Sequence, residues 1–77
     1  MEYNEEKVDE MTLALLWLVM WDEKDTSRAW KGFDWGTLDR LYQKGFIFDP
    51  KGKAKTLIIT PEGRKLAEEL FKRHFGK

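Results

Sequence analysis

The sequence near the N-terminus predicts a helix whose two opposite faces are both apolar. Residues 11–21 carry no charge, and the apolar residues around them recur at spacings of three and four. A helix that is apolar all round is normally buried on every side, and 77 residues leave little material to wrap one. The first stripe comprises Val8, Met11, Leu15, Leu18 and Val19, and the second, nearly opposite, comprises Leu13, Leu16, Trp17 and Met20.

This excess of apolar surface predicts a contact with another protein. Burying each large apolar side chain contributes about 1.5–3 kcal/mol, so four or five of them exposed on a monomer would be a liability. The simplest partner is a second copy of the chain in a two-fold homodimer. The alternative is that residues 23–33 and the last helix cover the second stripe. The predicted partner interface is the second stripe with its neighbour: Leu13, Leu16, Trp17, Met20 and Trp21.

The length allows a single domain, residues 1–77, which we expect to be marginally stable. A chain this short buries only about 60% of its unfolded surface. It has no cysteine, which excludes disulfides and thiolate ligands, and its one histidine, His74, cannot hold a zinc ion alone. We therefore expect no metal and no cofactor. The core must be unusually aromatic, or a second subunit must help.

Charge and hydropathy argue against a dedicated nucleic-acid binder, a membrane-spanning protein and a secreted protein. Fourteen basic and fourteen acidic residues give a formal net charge of zero, which weakens nucleic-acid binding as a hypothesis without excluding it. The longest uncharged apolar run, residues 11–21, falls short of the roughly 20 residues that span a membrane. No basic stretch and apolar run follow Met1, as a signal peptide would require. We interpret the chain as a cytoplasmic protein.

Local signals predict the order helix, short helix, β-hairpin, helix. Asn4 is a plausible N-cap for a first helix over about residues 4–22. Residues 23–33 read as an irregular connection. Asp34 caps a short helix over about residues 35–44, and Gly45 stops it.

The remaining signals predict a hairpin and a final helix. Residues 46–48 and 56–59 are rich in aromatic and β-branched side chains, and residues 49–53 between them carry turn chemistry. Thr60 and Pro61 then begin a helix that runs to about Phe75. This order is α+β, with helices packed on a small antiparallel sheet.

Half of the chain resembles a known fold. The run Leu38-Asp39-Arg40-Leu41-Tyr42-Gln43-Lys44-Gly45-Phe46-Ile47, a hairpin, and then Ile59-Thr60-Pro61-Glu62-Gly63-Arg64 are similar to winged helix-turn-helix regulators. Multiple-antibiotic-resistance-type repressors and phenolic-acid-responsive regulators are the families in question. The resemblance covers residues 35–70 and implies a winged-helix-like domain with a recognition helix and a wing. The helix that precedes the recognition helix in DNA-binding members has no counterpart in residues 23–33.

Over its whole length the chain is also similar to a bacterial family of small proteins described only as a domain of unknown function. This resemblance implies a fold and no activity. The shared stretches are Met1-Glu2-Tyr3, Val8-Asp9-Glu10-Met11, Arg28-Ala29-Trp30-Lys31-Gly32-Phe33-Asp34-Trp35 and Lys53-Ala54-Lys55.

Nucleic-acid binding is the alternative function, in the form of a transcriptional regulator with a lysine-tipped wing. Three lysines at residues 51–55 suit phosphate contacts, although lysines also keep a hairpin tip soluble and protect its edges. Base reading by the short helix is disfavoured, because Asp34 and Asp39 would meet phosphates near its N-terminus. The candidate contacts are Arg40, Lys44, Lys51, Lys53 and Lys55.

The aromatic residues Trp30, Phe33 and Trp35 allow two interpretations. Interleaved with Arg28 and Lys31, they could form a stacking platform for single-stranded nucleic acid. They could instead plug the core in place of the missing helix, which is the interpretation that we favour because small cores need large side chains.

No catalytic constellation is visible. Ser27 is the only serine and lies in a polar stretch without an evident base, and His74 lies on the apolar face of the last helix. Asp34 and Asp39 could share a metal ion, but they are most simply solvated helix-surface acids. We therefore predict a non-catalytic binding module that acts through self-association or a protein partner.

Overall fold

The computed structural model describes residues 1–77 and has an α+β architecture of three helices and a three-stranded antiparallel sheet. The α+β class predicted from the sequence is thereby confirmed. In chain order the elements are α1 (Glu5–Val19), β1 (Trp21–Glu23), β2 (Thr26–Trp30), α2 (Trp35–Gln43), β3 (Thr56–Ile59) and α3 (Pro61–Phe75).

Helix α1 begins as predicted and ends three residues early. The Asn4 side chain accepts a hydrogen bond from the Lys7 backbone N–H at 3.0 Å, which caps the helix. Met20 is already extended, with φ −75° and ψ 156°, and the backbone continues directly into β1. The expected end at Asp22 was wrong because Trp21 and Asp22 pair with another strand.

Residues 23–33 are not an irregular connection, which corrects the prediction. Strand β1 pairs with β2 in an antiparallel hairpin, with Trp21 opposite Arg28 and Glu23 opposite Thr26. The turn between them includes Lys24 at φ 55°, a left-handed backbone angle that few non-glycine residues adopt. The polar turn residues concealed the two short strands that flank them.

The sheet is completed by β3, whose partner differs from the one predicted. Strand β3 pairs along its length with β2, from Ser27 opposite Ile59 to Trp30 opposite Thr56. The predicted hairpin with residues 46–48 is reduced to one bridge between Ile47 and Ile59, with a 2.9 Å hydrogen bond from the Phe48 N–H to the Ile58 carbonyl. The ladder of β3 is therefore built mainly with β2.

The start of α3 was predicted correctly and is held against the end of α2. Thr60 caps α3 by accepting the Gly63 N–H at 2.9 Å, and its hydroxyl donates to the Gly45 carbonyl at 2.7 Å. The backbone of Phe46 lies so close to Gly63 that a Cβ at that position would collide with it. The Thr-Pro-Glu-Gly sequence thus serves both to begin the helix and to dock it.

The core lies between the sheet and the helices and includes the second stripe of α1. Trp17, Met20, Phe33, Phe46, Leu66 and Phe71 pack against it and are partly buried. No helix combines the length and the uninterrupted apolar character needed to cross a bilayer. The fully buried apolar residues are Leu13, Ala14, Leu16, Ala29, Leu38, Leu41, Ile47, Leu57, Ile59, Ala67 and Leu70.

Candidate functional site

The predicted partner interface is largely inside the domain, which corrects the sequence-based assignment. Leu13 and Leu16 are 1% and 0% exposed and belong to the core. Trp17 is partly buried, with the Arg64 guanidinium 5.2 Å from its ring centroid. Met20 packs against the core, and Trp21 is partly buried with its ring 5.4 Å from that of Trp30. The chain itself therefore covers most of the second stripe.

The opposite face of α1 is the one left open. Leu15, Leu18 and Val19 are 40%, 63% and 48% exposed, and Met11 and Val8 on the same face are partly exposed. We call these five residues the outward stripe. The sequence identified two apolar faces correctly, and the structure reverses which one is available to a partner.

A buried carboxylate joins α1 to α2. Asp9 is 2% exposed and accepts hydrogen bonds from Arg40 Nε at 2.8 and 3.0 Å and from Lys44 Nζ at 2.8 Å. Glu5 and Glu6 add longer ion pairs to the same two cations, at 3.2 Å each. Hydrogen bonds to Asp9 raise the pKa of both Arg40 and Lys44 above their ordinary values. The cluster is a clamp between the two helices.

The clamp makes two of the candidate nucleic-acid contacts, Arg40 and Lys44, less available to a phosphate. Arg40 and Lys44 are engaged by the chain's own acids, so their charge is compensated before any phosphate arrives. Sequence reasoning treated Asp9 only as an acid near the helix N-terminus. A signal for its burial was present, because Asp9, Leu13, Leu16 and Met20 are spaced four, three and four and share one helix face.

The three lysines between residues 51 and 55 have a different environment. Lys51, Lys53 and Lys55 are all exposed, and none of them forms an ion pair. The nearby Asp49 turns its carboxylate to the backbone N–H of Lys51 at 2.9 Å. These lysines remain free to meet an anionic ligand.

The aromatic cluster divides between the two interpretations. Phe33 packs against the core, as a plug would, whereas Trp30 and Trp35 are 63% and 59% exposed. Lys31 lies between them, with its Nζ 5.9 Å from the centroid of the Trp35 ring. A shallow groove of about 380 Å³ runs past both tryptophans and Lys55. We call Trp30, Lys31, Trp35 and Lys55 the tryptophan–lysine patch.

The residues weighed for catalysis make structural contacts. The Ser27 hydroxyl donates to Asp22 at 2.6 Å, and hydrogen bonds from Arg64 and then Ser27 lower the pKa of that carboxyl. His74 Nε2 lies 2.6 Å from Glu10 Oε1, and this hydrogen bond lowers the pKa of Glu10.

The acids weighed as a metal pair also have structural surroundings. The Asp34 side chain caps α2 by accepting a hydrogen bond from the Thr37 N–H at 2.9 Å. This hydrogen bond lowers the pKa of the Asp34 carboxyl. Asp39 is partly exposed on α2. No group of three or more potential ligands is arranged to hold a metal ion.

Comparison with known proteins places the chain in a family whose function is not described. Residues 4–77 match the family described as "Domain of unknown function (DUF6429)". The chain is 52% identical over 77 residues to "Uncharacterized protein y4hR" of Sinorhizobium fredii (strain NBRC 101917 / NGR234), and the alignment covers all of both chains. No solved structure matches. The chain belongs to the DUF6429 family, which confirms the whole-length resemblance noted from the sequence.

Proposed function

We propose that this chain is a non-catalytic binding module that pairs with a second copy of itself through the outward stripe of α1. The observation that carries the proposal is the exposure of Leu15, Leu18 and Val19 as neighbours on one helix face. Contiguous apolar surface of this kind marks an interaction site on a folded protein.

The spacing of the outward stripe suits a second helix. Val8, Met11, Leu15 and Leu18 are separated by three, four and three residues, the pattern that lines the seam between two packed helices. In a two-fold pair the same stripe of each copy meets the other, so one chain supplies both halves of the interface.

Charge presents no obstacle to such a pair. The formal net charge is zero, so two copies approach without long-range repulsion. Asp9 and Glu10, the acids within the stripe's own sequence span, are already bound to Arg40, Lys44 and His74 of the same chain. Association through the stripe therefore leaves neither of these acids without its partner.

The experiment is the mass in solution, measured by sedimentation equilibrium over a range of concentrations. We expect a concentration-dependent rise from the 9.2 kDa of one chain to twice that value. Leu18→Glu places a charge at the most exposed apolar position of the stripe, and we expect this variant to remain a monomer with an unchanged circular dichroism spectrum.

The matched control is Phe48→Glu, which places the same charge at a 52% exposed apolar residue outside the helices. This variant should associate like the unmodified chain. A chain that stays monomeric at every concentration contradicts the proposal, and so does equal dissociation of the two variants.

We infer in addition that the fold is a remodelled winged helix. Helix α2, the segment around Ile47, β3 and α3 follow one another in the order of the regulators that residues 35–70 resemble. In chain order, the β1–β2 hairpin precedes α2, whereas DNA-binding members have a positioning helix before their recognition helix. The inference predicts slow hydrogen exchange at the Phe48 amide, which donates to Ile58, and rapid exchange there would contradict it.

A further inference from the structure

We propose that the tryptophan–lysine patch binds single-stranded nucleic acid, with bases stacked on the two indoles and phosphates held by the lysines. The patch shares no residue with the outward stripe, so this proposal does not rest on self-association. Its first support is the exposure of two of the four tryptophans. A domain this short gains more from a buried indole than from an exposed one, so the exposed parts of Trp30 and Trp35 contribute little to the fold, although Trp30 also packs on the Trp21 ring.

The backbone holds the parts of the patch in a defined arrangement. Trp30 lies opposite Thr56 at the end of the β2–β3 ladder, and the next residue, Lys31, donates its N–H to the Lys55 carbonyl at 3.1 Å. Trp35 is the first residue of α2, whose N-cap Asp34 is hydrogen-bonded to Thr37. The two indoles are therefore carried by the last residue of β2 and the first residue of α2, and the two lysines lie directly after β2 and directly before β3, which favours a preformed surface.

The groove between them suits an anionic ligand. Its other lining residues are Gly32, Gly52 and Ala54, so small side chains leave the indoles and lysines accessible, and no acid lines it. Neither Lys31 nor Lys55 forms an ion pair, and Lys51 and Lys53 beside the groove form none either. A neutral peptide could pack against the aromatic faces, but it would leave the lysines without an anionic partner.

Single strands fit this chemistry better than duplexes. Unpaired bases offer flat faces that stack on aromatic side chains, whereas a duplex keeps those faces covered. Duplex recognition would draw on a helix with free cations, and both Arg40 on α2 and Lys44 at its C-cap are held by Asp9. The ligand class is therefore an unpaired stretch of DNA or RNA.

The experiment is a fluorescence anisotropy titration of the full chain with labelled oligothymidylate of about a dozen nucleotides, within the usual site size of small single-strand binders. A duplex of equal length and a neutral proline-rich peptide are titrated in parallel. We expect the single strand to bind most tightly, to quench tryptophan fluorescence, and to lose affinity steeply as salt rises.

Two pairs of variants separate stacking from charge. Trp30→Ala and Trp35→Ala should each weaken single-strand binding by about fivefold or more, since a base–aromatic stack is worth that much. Phe48→Ala, an exposed aromatic residue elsewhere, should have no effect. Lys55→Glu should weaken binding and flatten its salt dependence, whereas Lys65→Glu on the exposed side of α3 should do neither.

Three results would overturn the proposal. The first is equal affinity for duplex and single strand with no effect of the tryptophan variants. Binding would then be purely electrostatic, without stacking on the indoles. The second is preferential binding of the proline-rich peptide, which would make the groove a peptide site. The third is no binding of the single strand at low salt by a chain whose circular dichroism shows that it is folded.

Discussion

Two basic regions of this domain carry similar side chains and differ in what surrounds them. Arg40 on α2 and Lys44 at its C-cap meet the carboxylate of Asp9 at 2.8 Å, whereas Lys51, Lys53 and Lys55 form no ion pair. The first region holds two helices together, and the second is open to a ligand. A basic residue in a small domain is therefore informative about function only after its acidic neighbours are known.

The largest effect on stability should come from replacing Asp9, the carboxylate shared by Arg40 and Lys44. Asp9→Asn removes the buried carboxylate and leaves Arg40 and Lys44 close together without their shared counterion. We expect the free energy of unfolding to fall by about 3 kcal/mol, at the low end for a broken buried ion pair because both cations keep some contact with water. Urea denaturation measures it. The control, Glu6→Gln, alters an acid whose side chain is 83% exposed and should change stability by less than about 0.5 kcal/mol.

A direct comparison of one lysine from each region should give a smaller difference. Lys44→Met removes a cation that Asp9 binds, and we expect a loss of about 1 kcal/mol, as for a charged hydrogen bond that is partly solvated. Lys55→Met removes an unpaired, exposed cation and should leave stability within about 0.5 kcal/mol of the unmodified chain. Thermal unfolding of the two variants measures the difference. Equal losses would show that the clamp contributes nothing beyond an ordinary surface lysine.

The free energy of unfolding should fall in acid, because carboxylates that accept hydrogen bonds in the folded chain become protonated. Folding lowers the pKa of Glu10 below its ordinary 4.5 and those of Asp22 and Asp34 below 3.8. These carboxyl groups therefore bind protons more readily in the unfolded chain. Their contribution to the free energy of unfolding is fully present above about pH 4.5 and is lost as the pH falls further. Denaturation midpoints measured from neutral pH into the acid range should show this decline.

The acid prediction has a matched control at the N-cap of α2. Asp34→Ser retains an oxygen that accepts the Thr37 N–H and removes the titrating carboxyl. The decline with acid should be shallower in this variant below pH 3.8. A stability profile that is flat through the acid range would contradict the role assigned to these hydrogen bonds.

Local signals predicted those parts of the molecule whose contacts are local. Asn4, Asp34 and Thr60 cap their helices as expected, because a cap bonds to a backbone N–H only three residues away. The β1–β2 hairpin was missed because its strands are only three and five residues long and are joined by polar residues. Among the candidate sites, the lysines of residues 51–55 are exposed and their role as nucleic-acid contacts stays a prediction, whereas Trp30 and Trp35 are exposed where a core plug was favoured.

Residue pattern alone was enough to predict that α1 carries two apolar faces, where α2 and α3 begin, and that the chain forms a small α+β domain without disulfides. The packing of the folded chain was needed to learn that Leu13 and Leu16 face inward while Leu15 and Leu18 face outward, and that Asp9 on α1 pairs with Arg40 and Lys44. The reason is the range of the forces involved. Caps and periodicity depend on neighbours within one or two turns, whereas the choice of a buried face depends on elements that lie 31 to 64 residues away along the chain.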